Sequence, residues 1–500
     1  MTPSGGGRPL RSPPMGPTAR WLRRFLPLLV LVTVAVGSWS AASAADQDDA
    51  RNRPEVYELA PVDPVLSARR LPRALQAPLA EAALEPHVEQ LLASSPPGTC
   101  LVVAVEGRPV EEHNGDLPLV PASNQKLLTT WAALQVLGPE AMFRTSVAAS
   151  APHGAGVLAG DLYLVGGGDP FLWTDRWVAQ FEHGAEMVRT RFDSLAEAIV
   201  AAGITEIQGA VVGDESHFDT ARIVPTWAER LLEQYQAGPL SALLVDEGMV
   251  SYPERYISRG YYEPSPDPAA HAASVLTSLL SARGVTVGGP ARTGVAPPEA
   301  TELAAVTSPP VRDLVRGVNA WSNNTAAELL VKAMDRAAGG PGTTAGGVGV
   351  MVTALGRAGF PVEGLVAYDG SGLDEGDRVT CELLHQVLDA SDEESVLWSS
   401  LAVAGDDGTL RNRFAESAAA GQLRGKTGTL RGVTALSGYV ESATEAGVSL
   451  TFSYVANAPP DGIVDSDLVR LQVPFVEALT AYPQGPSWTE LAPRDPRPAG

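Results

Sequence analysis

Pro121-Ala122-Ser123-Asn124-Gln125-Lys126 is the stretch on which the reading of this chain turns. It opens a run with apolar residues at Leu127, Leu128, Trp131, Leu134 and Leu137, the spacing of one helical face, which stops at Gly138-Pro139. Positions i and i+3 share a helical face, so a helix beginning at Ser123 brings the Lys126 amine within a turn of the serine hydroxyl. A hydroxyl is a poor nucleophile and needs a base within hydrogen-bond reach. The start of a helix also offers a positive dipole to a developing oxyanion.

Lysine is itself a signal here. Lys126, Lys332 and Lys426 are the only lysines among 36 Lys and Arg residues. Arginine serves wherever charge alone is wanted but stays protonated, whereas a desolvated lysine amine can lose its proton. Lys126 and Lys426 each fall in a short polar motif; Lys332, on a helical stretch at 325–337 with no motif around it, reads as a surface charge.

Three motifs occur once each and in order: Ser-x-x-Lys at Ser123/Lys126, Ser-x-Asn at Ser322/Asn324, and Lys-Thr-Gly at Lys426/Thr427/Gly428. With so few lysines, finding all three in order by chance is on the order of one in a thousand or rarer. Lys426 can repel charge from Lys126 and hold a substrate carboxylate. Ser322 can pass a proton to a leaving amine, and Asn324 can hold Lys126 and a substrate amide. Ser322-Asn323-Asn324 equally suits a helix N-cap, and the two readings are compatible. Residues 426–429 read as an edge strand on which an extended peptide pairs, with the Thr427 and Thr429 hydroxyls near its carboxylate.

The net charge of −22 becomes −27 without residues 1–44, which hold five arginines and no acids. That argues against a nucleic-acid partner. Arg20, Arg23 and Arg24 precede an apolar run at 25–36 and the small residues Ala42-Ser43-Ala44, an export signal that is cleaved or retained as an N-terminal membrane tether. Either way the protein works outside the cytoplasm, in the cell envelope or secreted. Cys100 and Cys381 allow one disulfide there, but without geometry two buried free thiols are the preferred reading. The seven histidines are scattered and form no metal-binding pattern, and no cofactor is expected. Gly154-Ala155-Gly156 loosely matches a dinucleotide loop but precedes a strand-like run instead of a helix.

Residues 45–80 read as a polar linker, followed by a helix near 79–92 and strands at 100–106 and 108–113. From 156 to 302 the pattern reads as an inserted α/β accessory domain splitting a catalytic domain into 81–155 and 303–482. Late strands at 422–426, 434–440 and 448–455 are spaced as an antiparallel meander, and 483–500 is a Pro-rich tail.

The chain resembles the class C low-molecular-mass penicillin-binding proteins, serine D-Ala-D-Ala carboxypeptidases and endopeptidases of peptidoglycan. The motifs above carry the resemblance, together with Gly168-Asp169-Pro170, Asp369-Gly370-Ser371-Gly372-Leu373, Asp407-Gly408-Thr409-Leu410 and Lys426-Thr427-Gly428-Thr429-Leu430. It implies an α/β (α+β) penicillin-binding or serine β-lactamase-like transpeptidase fold, with an antiparallel sheet flanked by helices. It implies acylation of Ser123 with Lys126 as base, Ser322 and Asn324 in the proton network, and Lys426 with Thr427 on the terminal carboxylate. Gly428 completes that motif, and the N–H groups of Ser123 and Thr429 form the oxyanion hole. Stem peptides ending in D-Ala are the implied substrates and β-lactams the covalent inhibitors. The chain departs from the family's usual Ser-Asp-Asn at Asn323, and its insertion looks shorter than the longest ones. A serine β-lactamase and a non-catalytic envelope-binding protein on the same fold are the alternatives.

Overall fold

The computed structural model describes residues 73–151, 153–256, 262–444, 448–459 and 466–483. The residues read as an export leader, as linker as far as 72 and as tail from 484 lie outside these residues, whereas 73–80, also read as linker, belong to helix Arg73–Ser94. Among the described residues, no helix is long and apolar enough to cross a membrane.

The strand Gly98–Val105 is apolar on both faces, as a strand between two helical layers must be. Cys100 and Val102 point to one layer, and Leu101 and Val103 to the other. It lies within a six-stranded antiparallel sheet. The order is Ala402–Val403, Leu423–Leu430, Val433–Glu441, Ser449–Asn457, Gly98–Val105, Arg108–His113. The last three long strands of the chain form the expected meander, and the first hairpin joins it when Cys100 pairs with Val455.

Helices Arg73–Ser94 and Ser466–Thr480 cover one face, where Leu84, Leu91, Phe452, Phe475 and Leu479 are buried together. The other face carries Gln125–Val136, Val311–Ala320, Asn324–Ala337, Thr344–Arg357 and Cys381–Asp389. This is the expected α/β class, a helix-flanked antiparallel sheet of the transpeptidase type.

A second sheet runs Arg292–Thr293, Val211–Asp214, Leu162–Val165, Arg144–Ala149, Thr301–Thr307. Its first three strands are parallel and its last two pairings antiparallel. Helices Asp193–Ala201 and Pro268–Ser281 pack on it through Leu195, Ile199, Leu276 and Leu280. The sheet therefore takes strands from beyond 156–302 on both sides. This sheet lies within the compact unit that runs from Ala77 to Gln484. Phe218, Leu240 and Leu244 bury themselves against Leu329 and Ala333 of helix Asn324–Ala337.

Two sequence expectations are corrected. Cys100 and Cys381 are disulfide-bonded, with Cα atoms 5.8 Å apart, instead of being free thiols. Cys100 faces the helical layer from the sheet, and Cys381 is the first residue of the helix packed there, a proximity hidden by their separation of 281 residues. Lys332 is not a surface charge; it is fully buried and paired with Asp219. Its helix is buried on every side, and the Asp219 loop covers the face that a two-layer reading leaves to solvent.

A cross-link closing so long a loop restricts the unfolded chain strongly, by about 2–5 kcal/mol in the usual range. Cys381→Ser is therefore expected to lower the melting temperature by several degrees, and reductant should lower that of the parent protein but not of the variant. Equal melting of parent and variant under non-reducing conditions would contradict this.

Candidate active site

Ser123 does not begin the α-helix itself. It sits in a 3-10 turn, Ala122–Asn124, that runs directly into helix Gln125–Val136. The turn is set by Ala122 at φ +48°, a left-handed conformation seldom adopted by non-glycine residues, and such strain persists where surrounding structure imposes it. Behind it, the Asn124 amide donates to Ser437 Oγ at 2.7 Å, tying the turn to the strand that pairs with Lys426.

Lys126 is fully buried, and its ammonium has an acceptor for each N–H. Nζ donates to Ser123 Oγ at 2.9 Å, Asn324 Oδ1 at 2.7 Å and the Ser371 carbonyl at 2.5 Å. Burial pulls its pKa down to about 7, although Asp369 and Glu328 act in the opposite direction. A substantial neutral fraction at neutral pH follows, as a general base requires.

Lys426 is equally buried and donates to Ser322 Oγ at 2.9 Å and to the Thr427 carbonyl at 2.8 Å. Burial, and then the neighbouring Lys126 charge, hold its pKa well below the usual lysine value. An arriving carboxylate reverses that balance, since an opposite charge at this distance favours the ammonium. The Thr427 hydroxyl bonds Thr409 Oγ1 at 3.0 Å.

Ser322 is held at φ +56°, and the cap of the following helix is Asn323, whose Oδ1 accepts from Ala326 N–H at 2.8 Å. The capping and chemical roles are thus divided between neighbours: Asn323 starts the helix, and Ser322 and Asn324 turn to the two lysines. The Asn323 amide also donates to Glu247 Oε1 at 2.7 Å, and that of Asn324 to the Gln236 carbonyl at 2.7 Å.

Gly428 has a steric reason to be glycine. A Cβ there would lie 2.9 Å from the Pro121 carbonyl oxygen, 3.0 Å from Ala435 Cβ and 3.2 Å from Ser123 N. The strand thus runs directly past the serine backbone.

These residues border a cavity of about 1230 Å³, lined by Ser123, Ser322, Asn324, Thr427 and Thr429. It continues past Thr409 to Arg411, His183, Phe181 and Tyr256. The structure therefore brings together all eight residues singled out from the sequence. Among the described residues, no three metal-ligating side chains cluster.

The D-Ala-D-Ala carboxypeptidase 3 (S13) family matches residues 75–254 and 251–477. The chain belongs to that family. A D-alanyl-D-alanine carboxypeptidase of Actinomadura sp. (strain R39) is 30% identical over 451 residues, covering 75% of this chain and 80% of that protein. A carboxypeptidase of Mycobacterium tuberculosis is 31% identical over 393 residues, with the same coverages of 75% and 80%. The crystal structure of penicillin binding protein 4 from Haemophilus influenzae shares the fold, with a TM-score of 0.64 at 22% identity over 78% of this chain and 98% of that one. As an S13 serine peptidase the chain is a hydrolase of peptidoglycan peptides, and its place of work is outside the cytoplasm.

Sequence reasoning on this S13 site missed the residues that hold the named ones. Glu328, Asp369 and the Ser371 carbonyl surround Lys126, whereas in the sequence Asp369-Gly370-Ser371 belongs only to the family resemblance. The available signal was Glu328 one helical turn after Asn324.

Gly428→Ala is expected to leave the protein folded, because its strand keeps both neighbours, but to lower the acylation rate by roughly 100-fold through displacement of the serine turn. Stopped-flow acylation by a fluorescent penicillin, with circular dichroism as the folding control, checks this; a near-parental rate would contradict it.

Proposed function

We propose that the chain is a penicillin-sensitive D-Ala-D-Ala carboxypeptidase that also cleaves peptide cross-links, working through an acyl-enzyme on Ser123. One observation carries this reading: a dry lysine bonded to the serine hydroxyl lies beside a second dry lysine bonded to Ser322.

Neutral Lys126 takes the Ser123 proton as Oγ attacks the carbonyl of the penultimate D-Ala. The N–H groups of Ser123 and Thr429 receive the oxyanion, in a setting where preorganised donors are worth most. The C–N bond then breaks, and the proton passes from Lys126 through Ser322 to the leaving amine. Water reverses these steps on the ester, releasing the shortened peptide and restoring Ser123. Lys426, with the Thr427 and Thr429 hydroxyls, holds the carboxylate next to the scissile bond, and Gly428 lets that strand approach.

The cavity beyond Thr409 is larger than one alanine needs, which supports a bulky leaving group as well as a free D-Ala. We further propose that residues 156–302 form an accessory module inserted in the catalytic body, and that the N-terminal leader exports the enzyme, remaining as a tether if uncleaved.

Ser123→Ala is expected to abolish covalent labelling by penicillin, and Lys126→Arg to slow it at least about 100-fold, because guanidinium does not release its proton. In the parent enzyme the acylation rate should rise with pH through a midpoint near 7 and level off above it, as Lys126 becomes neutral. Labelling that persists in Ser123→Ala would reject the mechanism, and rapid turnover of penicillin would favour a β-lactamase. Mass spectrometry of digested muropeptides then reads the substrate: loss of one D-Ala from pentapeptides marks carboxypeptidase activity, and conversion of cross-linked dimers to monomers marks endopeptidase activity.

A further inference from the structure

One buried acid takes no part in these steps. Glu328 is fully buried on helix Asn324–Ala337, one turn after Asn324, so both side chains leave the same face. Its Oε1 accepts from the N–H groups of Gly370 at 3.0 Å and Ser371 at 2.8 Å. The carbonyl of that same Ser371 accepts from Lys126 Nζ. Glu328 Oε2 is buried without a hydrogen-bond partner. The loop is pressed so closely on the helix that a Cβ on Gly370 would stand 2.3 Å from Val331 Cγ2. Asp369 grips the other end, accepting from the N–H groups of Gly372, Leu373 and Asp374 at 2.7, 3.0 and 2.9 Å. The Trp227 indole, reaching in from the second-sheet segment, donates to Asp369 at 2.7 Å.

The loop matters because a neutral amine has two N–H bonds and one lone pair, where the ammonium has three N–H bonds. Of the three oxygens around Nζ, only Ser123 Oγ has a proton to give. Asn324 Oδ1 and the Ser371 carbonyl can only accept, and the Asn324 amide cannot turn over without losing its bond to the Gln236 carbonyl. The two N–H bonds of neutral Lys126 therefore stay on those two oxygens, and the lone pair faces the serine. If either acceptor moves, the amine can rotate and the hydroxyl loses its base.

We propose that Glu328 is a positioning residue for acylation: it clamps the Gly370–Ser371 peptide so that the Ser371 carbonyl holds one N–H of neutral Lys126 and aims the lone pair at Ser123. This rests on the site reading above, since it requires Lys126 as the base. Burial, and then Asp369, raise the Glu328 pKa to about 8, so near pH 7 it serves chiefly as a hydrogen-bond acceptor. The titratable groups around it are Lys126 on the nucleophile helix and Asp369 and Asp377 on the loop, with Lys426 beyond Lys126. Lys332, a turn further on the same helix, is committed to Asp219, and the packed helix Thr344–Arg357 carries no charge before its last residue.

Two variants of the full-length enzyme test the proposal, each read against the parent rate with a fluorescent penicillin across pH 5–10. Glu328→Gln retains an oxygen for both peptide N–H groups and is expected to acylate within about threefold of the parent at the plateau. Its acid limb should stay close to that of the parent, because the carboxyl that is replaced is already largely uncharged near pH 7. Glu328→Met retains the volume but not the acceptor and is expected to lose at least about 30-fold at the plateau, through misplacement of the base. Parental acylation by Glu328→Met, or a loss in Glu328→Gln as large as in Glu328→Met, overturns the clamp. If Glu328→Met does not fold, Glu328→Gln decides alone: a loss above tenfold at the plateau overturns the proposal. The parent's own labelling at Ser123 is a separate control, so failure of the clamp and failure of the site reading are distinguishable.

Discussion

A lysine amine kept out of water and met by three oxygens is the constraint around which the rest is arranged. Desolvation alone favours the neutral form, but an amine buried at random serves no chemistry. The acceptors come from the serine turn, the start of helix Asn324–Ala337 and the loop at 369–372, far apart in sequence. Each is fixed by a further contact: Asn124 to Ser437 for the turn, Asn323 as helix cap, and Asp369 with Glu328 for the loop. Second-layer support of this kind is what keeps a reacting geometry within tolerance.

The sheet supplies the other half of the site by a different means. The Lys426 strand has Val433–Glu441 on one side and, over its first residues, only the two-residue strand Ala402–Val403 on the other. From Lys426 onward no described strand pairs with that edge, and Thr427 and Thr429 line the cavity. Exposed edges invite strand addition. Here that tendency faces a cavity whose walls limit what can pair.

The polar motifs were legible in the sequence because their chemistry restricts residue type: hydroxyl, amine and amide cannot be interchanged. The meander and the hairpin were legible because alternating and two-sided apolar patterns survive in local sequence. The disulfide was not, since nothing local links Cys100 to Cys381. Lys332 was misread because its environment is set by the Asp219 loop, more than a hundred residues earlier. Glu328 escaped despite its place one helical turn after Asn324, because an acid on a helix reads as solvated until a loop is known to cover it. The pairing of Arg144–Ala149 with Thr301–Thr307 was not legible either, because more than 150 residues separate the two strands. What escaped was in each case decided by a tertiary partner.

The pairing of Arg144–Ala149 with Thr301–Thr307 bears on how this chain tolerates change. Arg144 lies opposite Thr307, so the chain leaves and re-enters the catalytic helices at neighbouring points. Once those two strands have met, the helices are held at neighbouring points whatever lies between, and the closure cost of further residues grows only slowly with their number. The sequence distance between the nucleophile and its asparagine partner is thereby uncoupled from their distance in space. Material can be added to or removed from the outer parts of the second sheet with little effect on the site. The stretch containing Trp227, Gln236 and Glu247 is different, because it reaches back to touch the site and its length is pinned.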